Sequence, residues 1–195
     1  FYWETSNTED LTMRILVLDS ISKLNPSFGA AAILTEWEAF KNLDFSNTIL
    51  IGLQPRGKFL AERIKQVLEN EYQIKEIQLG FLDITFFRDD FRRGEKPLEA
   101  NKTQIDFLVE DKKVVFIDDV LFTGRSINAA LTAIQSFGRP SEVELLVLID
   151  RRFSRHLPIQ PDYRGRQVDA INNEKVIVKW KENEGEDLVL IETKN

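Results

Sequence analysis

Val114-Val115-Phe116-Ile117-Asp118-Asp119-Val120-Leu121-Phe122-Thr123-Gly124-Arg125-Ser126 is the stretch on which the reading of this chain turns. Four apolar residues run straight into two adjacent carboxylates, and a Thr-Gly turn follows. Ser126–Phe137 then carries Ile127, Ala130, Leu131 and Ile134 on one helical face. A strand without polar alternation is covered on both faces, which is the mark of a parallel sheet. Working upstream, Thr48–Leu53 is a second all-apolar strand, and Gly57–Glu71 is a helix with Leu60, Ile64, Val67 and Leu68 in phase. Leu79–Phe87 reads as a third strand ending in Arg88-Asp89-Asp90, and Phe91–Asp106 as a long polar loop. Arg14–Leu18 reads as a short edge strand and Ala30–Asn42 as a helix behind Pro26 and Gly29. Downstream, Gly138 and Pro140 stop the helix, Val143–Ile149 is a strand, and Val176–Trp180 with Leu188–Ile191 form a terminal hairpin around Asn183–Gly185. The expected fold is α/β: a mostly parallel sheet with helices on both faces and a small C-terminal hairpin. Ligands of such sheets sit at the carboxyl ends of the strands.

Composition narrows the chemistry. A chain of 195 residues is one domain, expected over 13–195, with residues 1–12 a leader or disordered extension ahead of Met13, the only Met. The formal charge of −6 excludes a general polyanion binder, so any nucleic-acid contact must be a local basic patch. The absence of Cys excludes disulfides, thiolate metal sites and a Cys nucleophile, and a single His excludes a multi-His zinc site. No apolar run approaches the roughly 18 residues of a membrane span, and no signal-peptide pattern opens the chain, so a cytoplasmic location is expected.

The strand-end residues describe a ligand. Free amides of a Thr123-Gly124 turn at a helix N-terminus form an anion cradle, and the Thr123 and Ser126 hydroxyls donate to the same oxygens. Asp118 and Asp119 only accept, which suits a vicinal diol. A phosphate pocket beside a diol pocket fits a 5-phosphoribosyl group. Gly52, Gly57 and Lys58 have the spacing of a nucleotide-binding P-loop, but Phe59 stands where that loop needs Ser or Thr, and Pro55 interrupts the cradle.

The acid-pair segment resembles the phosphoribosyl-pyrophosphate signature of the type I phosphoribosyltransferases. Ile49–Gly57 looks like that family's pyrophosphate loop, Leu82–Asp90 like the approach to its flexible catalytic loop, and Asp150-Arg151-Arg152 with Leu157-Pro158-Ile159 and Asp162-Tyr163 like its base-binding hood. The combination is most similar to family members that both attenuate pyrimidine operons and use uracil. The resemblance covers about residue 43 to the C-terminus.

The resemblance implies transfer of ribose 5-phosphate from phosphoribosyl pyrophosphate to uracil, giving UMP and pyrophosphate. The expected catalytic residues are Asp118, Asp119, Arg56 and Arg88. The expected substrate-binding residues are Gln54, Pro55, Arg56 and Gly57 for pyrophosphate, Asp118 and Asp119 with Val120, Leu121, Phe122, Thr123, Gly124, Arg125 and Ser126 for the phosphoribosyl group, and Ile149, Asp150 and Arg151 for the base. Mg²⁺ is the implied cofactor, held mainly by substrate oxygens rather than by a protein metal site. A homodimer or larger assembly is also implied. Members that take 6-oxopurines place an Asp just before the Thr-Gly turn, whereas Phe122 stands there, which argues against a purine enzyme.

A purine or orotate enzyme and a UMP-sensing RNA attenuator with little enzymatic role are the alternatives. Arg151, Arg152, Arg155, Arg164 and Arg166, opposed in the sequence only by Asp162, favour an mRNA-leader partner. The chain departs from the attenuators at Ser20–Asn42, which holds Pro26, Gly29, only Lys23 and Lys41 as bases, and no His. That opposes RNA binding.

Overall fold

In a computed structural model, the described residues are 3–6, 13–16, 39–89, 101–170 and 173–193. The runs Thr48–Leu53 and Val114–Ile117 are buried on both faces, as the inner strands of a parallel sheet are. β3 (Thr48–Leu53), β4 (Gln78–Leu82), β5 (Lys113–Leu121), β6 (Glu142–Arg151) and β7 (Tyr163–Val168) form a five-stranded sheet in the order β4-β3-β5-β6-β7. β1 (Trp3–Ser6), β2 (Met13–Leu16), β8 (Glu174–Lys179) and β9 (Leu188–Thr193) form an antiparallel sheet in the order β1-β2-β9-β8.

Alternation along the central strands divides the core. Leu50, Val115 and Ile117 face one side, where Leu60, Ile64 and Leu68 of α1 (Gly57–Asn70) meet Val176, Val178, Val189 and Ile191 of the second sheet and Trp180 just after β8. Ile49, Ile51, Leu53, Val114 and Phe116 face the other, against Ile127, Ala130, Ala133 and Ile134 of α2 (Arg125–Ile134). The covered parallel sheet is therefore as expected from the sequence.

The differences are local and have physical causes. Trp3–Ser6, inside the stretch expected to be a leader, is a strand paired with β2; the rest of 1–12 lies outside the described residues. The segment at Met13–Leu16 is no edge strand, since it lies between β1 and β9. Only residues 39–42 of the expected Ala30–Asn42 helix are described, helical over 39–41 and a turn at Asn42; Pro26 and Gly29 fall outside.

The strand expected over Leu79–Phe87 stops at Leu82. Asp83 Oδ1 accepts from Thr85 N (2.9 Å) and Thr85 Oγ1 (2.6 Å), and this turns Thr85–Phe87 into a single 3₁₀ turn. Asp162 and Tyr163 do not form a hood. Tyr163 begins the edge strand β7, its hydroxyl donates to Glu144 Oε2 (2.7 Å), and its ring lies edge-on to Phe40. Asp162 Oδ2 accepts from Leu145 N (2.8 Å).

Candidate active site

The acid pair lies within β5, which runs on to Leu121 rather than ending at Ile117. Asp119 N donates to Asp118 Oδ1 (3.0 Å). Burial first, and then the charge of Asp119, push the Asp118 carboxyl well above the usual carboxylate range, against the pull of Arg88. Burial also raises Asp119, opposed chiefly by Arg56. The charges of all four residues expected to be catalytic thus act on one another, Arg88 on Asp118 and Arg56 on Asp119.

Backbone contact brings the first loop to this pair. A Cβ on Gly57 would lie 2.2 Å from Ile117 O and 3.0 Å from Asp118 Cα, so only glycine lets the start of α1 rest on β5. In the same loop, Gln54 N donates to Leu82 O (3.0 Å), and Gln54 Nε2 donates to Lys102 O (2.7 Å). Pro55 follows Gln54 through a cis peptide bond. Arg56 donates to Val178 O and to both carboxylate oxygens of Glu184, the nearer at 3.0 Å.

Asp83 fastens the base of the second loop. Its Oδ1 holds Thr85, and its Oδ2 accepts from Asn101 N (2.6 Å), on the returning leg. Phe81 and Gln104 exchange both backbone hydrogen bonds at 2.8 Å, adding that leg to the sheet edge. Arg88 is extended, and Asp89 pairs with Arg125 of α2. Residues 91–100 of the expected 91–106 loop lie outside the described residues.

The turn after β5 has the expected form. Gly124 has φ +88°, and Asn128 N donates to Gly124 O (3.0 Å) as α2 begins. Thr123 O accepts from His156 N (3.0 Å) and Leu157 N (3.2 Å), and Ile159 comes within 3.3 Å of where a Gly124 Cβ would stand. Leu157-Pro158-Ile159 is therefore a cover over the Thr-Gly turn.

The other expected binding residues are spread between site and interior. Phe122 is exposed, with the Arg151 guanidinium 3.8 Å from its ring centre. Val120 is partly buried, Leu121 is packed in the core, and Ser126 is partly accessible at the start of α2. Ile149, Asp150 and Arg151 are all buried on β6. Arg151 Nη2 donates to Glu174 O (2.9 Å).

Asp150, expected among the base-binding residues, is an acidic hub for the arginine cluster, a pairing the sequence reading did not foresee. It pairs with Arg155, lies 3.9 Å from Arg164, and accepts from Gln167 Nε2 (3.2 Å). Arg152 lies 3.5 Å from Asp169. The arginine cluster is thus opposed by Asp150 and Asp169, not by Asp162.

Asp83 and Glu184 are the neighbours of the site that sequence reasoning did not pick out. Asp83-x-Thr85 is a side-chain-capped turn signal that could have found the first. Nothing local marks Glu184, which meets Arg56 across 128 positions.

The acid pair offers two carboxylates, and among the described residues no group of three or more acids, His or Cys stands ready for a metal. Mg²⁺ binds through one or two carboxylates plus substrate phosphates, so this donor set fits an ion that arrives with a diphosphate. No helix among the described residues is long and apolar enough to cross a membrane.

Comparison with known proteins agrees with this geometry. Residues 20–183 match the phosphoribosyl transferase domain family. The bifunctional protein PyrR of Acetivibrio thermocellus is 47% identical over 156 residues, spanning 77% of this chain and 81% of the relative. That of Caldicellulosiruptor bescii is 44% identical over 152 residues, spanning 78% and 82%. Among solved structures, the hypoxanthine phosphoribosyltransferase of Trypanosoma cruzi superposes with a TM-score of 0.56 at 16% identity, covering 82% of this chain and 85% of that one. The purine phosphoribosyltransferase of Pyrococcus horikoshii does so with 0.51 at 24% identity, covering 71% and 81%. At such identities these two structures speak for the fold alone.

Proposed function

The chain belongs to the phosphoribosyltransferase family, in the company of the bifunctional PyrR proteins, and we propose that it transfers ribose 5-phosphate from phosphoribosyl pyrophosphate to uracil, releasing pyrophosphate and UMP. The observation that carries this reading is the raised acid pair beside the Thr123–Ser126 turn, faced by Arg56 and Arg88 from two loops.

Each part of the site has a task in that reaction. Asp118 and Asp119 accept from the ribose hydroxyls and hold the sugar. The turn amides and the Thr123 and Ser126 hydroxyls hold the 5′-phosphate. The Gln54–Gly57 loop takes the leaving pyrophosphate, and Arg56 presents it with a charged fork. Arg88 stands at the foot of the second loop and presents a further charge to the diphosphate. As the glycosidic bond to pyrophosphate breaks and that carbon becomes cationic, positioning and fixed charge supply the rate enhancement. Mg²⁺ bound through substrate oxygens neutralises part of the diphosphate charge.

Phe122, with Arg151 against its ring, borders the base side, and no acid stands beside it in the chain to meet a purine ring nitrogen. The organisation we infer is one domain that takes in β1 as well as residues 13–195, cytoplasmic, working as a homodimer or larger assembly. RNA is a weak partner at most, because Arg151 is buried and Arg152 and Arg155 are paired within the chain. The test is a panel of free bases with phosphoribosyl pyrophosphate and Mg²⁺. Uracil alone should yield nucleotide, and turnover of hypoxanthine, guanine or orotate in its place would overturn the assignment.

A further inference from the structure

Between β8 and β9 the chain forms a one-turn helix, α3 (Lys181–Glu184), closed by Gly185 at φ +82°. Acids of this connection grip two arginines near the first loop. Arg63 of α1 donates to Glu182 (2.7 and 2.8 Å) and to Asp187 (2.7 and 3.0 Å), and its guanidinium lies over the Trp180 ring at 5.0 Å. Arg56 donates to Glu184 at 3.0 and 3.4 Å. Glu184 Oε2 also accepts from Trp180 N (3.0 Å), which fixes the carboxylate in place.

Glu184 therefore occupies the fork of the arginine that the first loop offers to a diphosphate. Carboxylate and phosphate oxygens compete for the same guanidinium donors. We propose that Glu184 is an internal competitor of the diphosphate: it holds Arg56 against the second sheet in the empty site and yields it when phosphoribosyl pyrophosphate enters. This rests on the assignment of Arg56 to the pyrophosphate. Arg63 anchors the connection independently, so loss of the Glu184 charge frees Arg56 without releasing α3. Glu184 is thus a positioning residue, acting on substrate affinity through Arg56.

The test pairs Glu184→Gln, which keeps an acceptor for Trp180 N, with Glu184→Ala, Arg56→Ala and Arg56→Ala/Glu184→Gln. Inorganic pyrophosphate and UMP are titrated calorimetrically, and steady-state kinetics are run with uracil. Removing the charge should tighten pyrophosphate and lower KM for phosphoribosyl pyrophosphate about two- to fivefold, the worth of a partly exposed ion pair, with kcat and UMP affinity unchanged. In the Arg56→Ala background the same change should do nothing. Unchanged or weaker pyrophosphate binding in both Glu184 variants, with Arg56→Ala still harmful, overturns the competition alone. If Arg56→Ala spares pyrophosphate and phosphoribosyl pyrophosphate, the assignment of Arg56 falls and the competition with it.

Discussion

Gly57→Ala should disable the site through geometry alone. The added methyl would stand 2.2 Å from Ile117 O, where an ordinary contact needs about 3.2 Å or more. The obstacle is backbone in a central strand, hydrogen-bonded on both sides, so the start of α1 must retreat by about 1 Å. That retreat carries the neighbouring Arg56 away from Asp119. A misplacement of this size costs on the order of 100-fold in rate when reacting groups are held by position. Overpacking of this kind costs about 1–3 kcal/mol of stability, or roughly 2–10 °C in Tm for a chain of this size. Most molecules then remain folded at 25 °C, so the two effects separate. The assay is kcat/KM for phosphoribosyl pyrophosphate with uracil, normalised to folded protein from a thermal melt. Near-wild-type kcat/KM would refute the claim that the loop is registered on β5 through this contact.

Asp118→Asn should cut uracil transfer at least ~100-fold, because the amide brings donors to the diol and loses charge. Both acids have folded pKa values above their unfolded ones, so the folded state binds more protons and loses stability as pH rises from about 4 through the raised values. The variant should therefore melt higher than wild type at pH 7 and lose that advantage below about pH 4; a lower melting temperature at pH 7 would count against the burial argument. By the same sign, kcat/KM should fall on acidification with its limb above the ordinary carboxylate range, and a limb at an unperturbed carboxylate pKa would contradict it. Phe122→Asp should depress uracil use, since it places a carboxylate on the base side and draws Arg151 off the ring; unchanged uracil kinetics would mean that Phe122 faces away from the base. Binding to a pyrimidine-operon leader RNA at about 0.15 M salt should be weak, with dissociation constants of about 10⁻⁴ to 10⁻⁶ M and little response to UMP, whereas nanomolar UMP-enhanced binding would make attenuation primary.

The parallel sheet was legible because its strands are buried on both faces, so the Thr48–Leu53 and Val114–Ile117 runs carry the pattern in their own composition. The turn was legible for a similar reason, since Thr123-Gly124 must cap a helix and Gly124 takes a left-handed φ. What escaped the sequence were side chains whose meaning depends on distant partners. Asp162 seemed the only acid opposing the arginine cluster, yet Asp150 does that work from inside β6. Tyr163 had the look of a hood residue, but Glu144 and Phe40 fix it in an edge strand. The strand through Phe87 failed at Asp83, where two short-range hydrogen bonds outweigh the β preference of Thr85, Phe86 and Phe87.

These partnerships bear on how the empty site stands. Two adjacent acids are held in a strand where burial disfavours their charge, and each is balanced by an arginine from a loop assigned to the substrate. Arg56 is shared further, with Glu184 and the Val178 carbonyl. When a diphosphate takes Arg56, Asp119 loses part of its counter-charge. On the proposed assignment, the ribose hydroxyls of the same substrate restore it by donating to the carboxylate. A ligand that carries both groups therefore meets a need that pyrophosphate alone would leave open. The local rule broken here, paired carboxylates in a buried strand, is the kind of violation that folds keep where a ligand completes the structure.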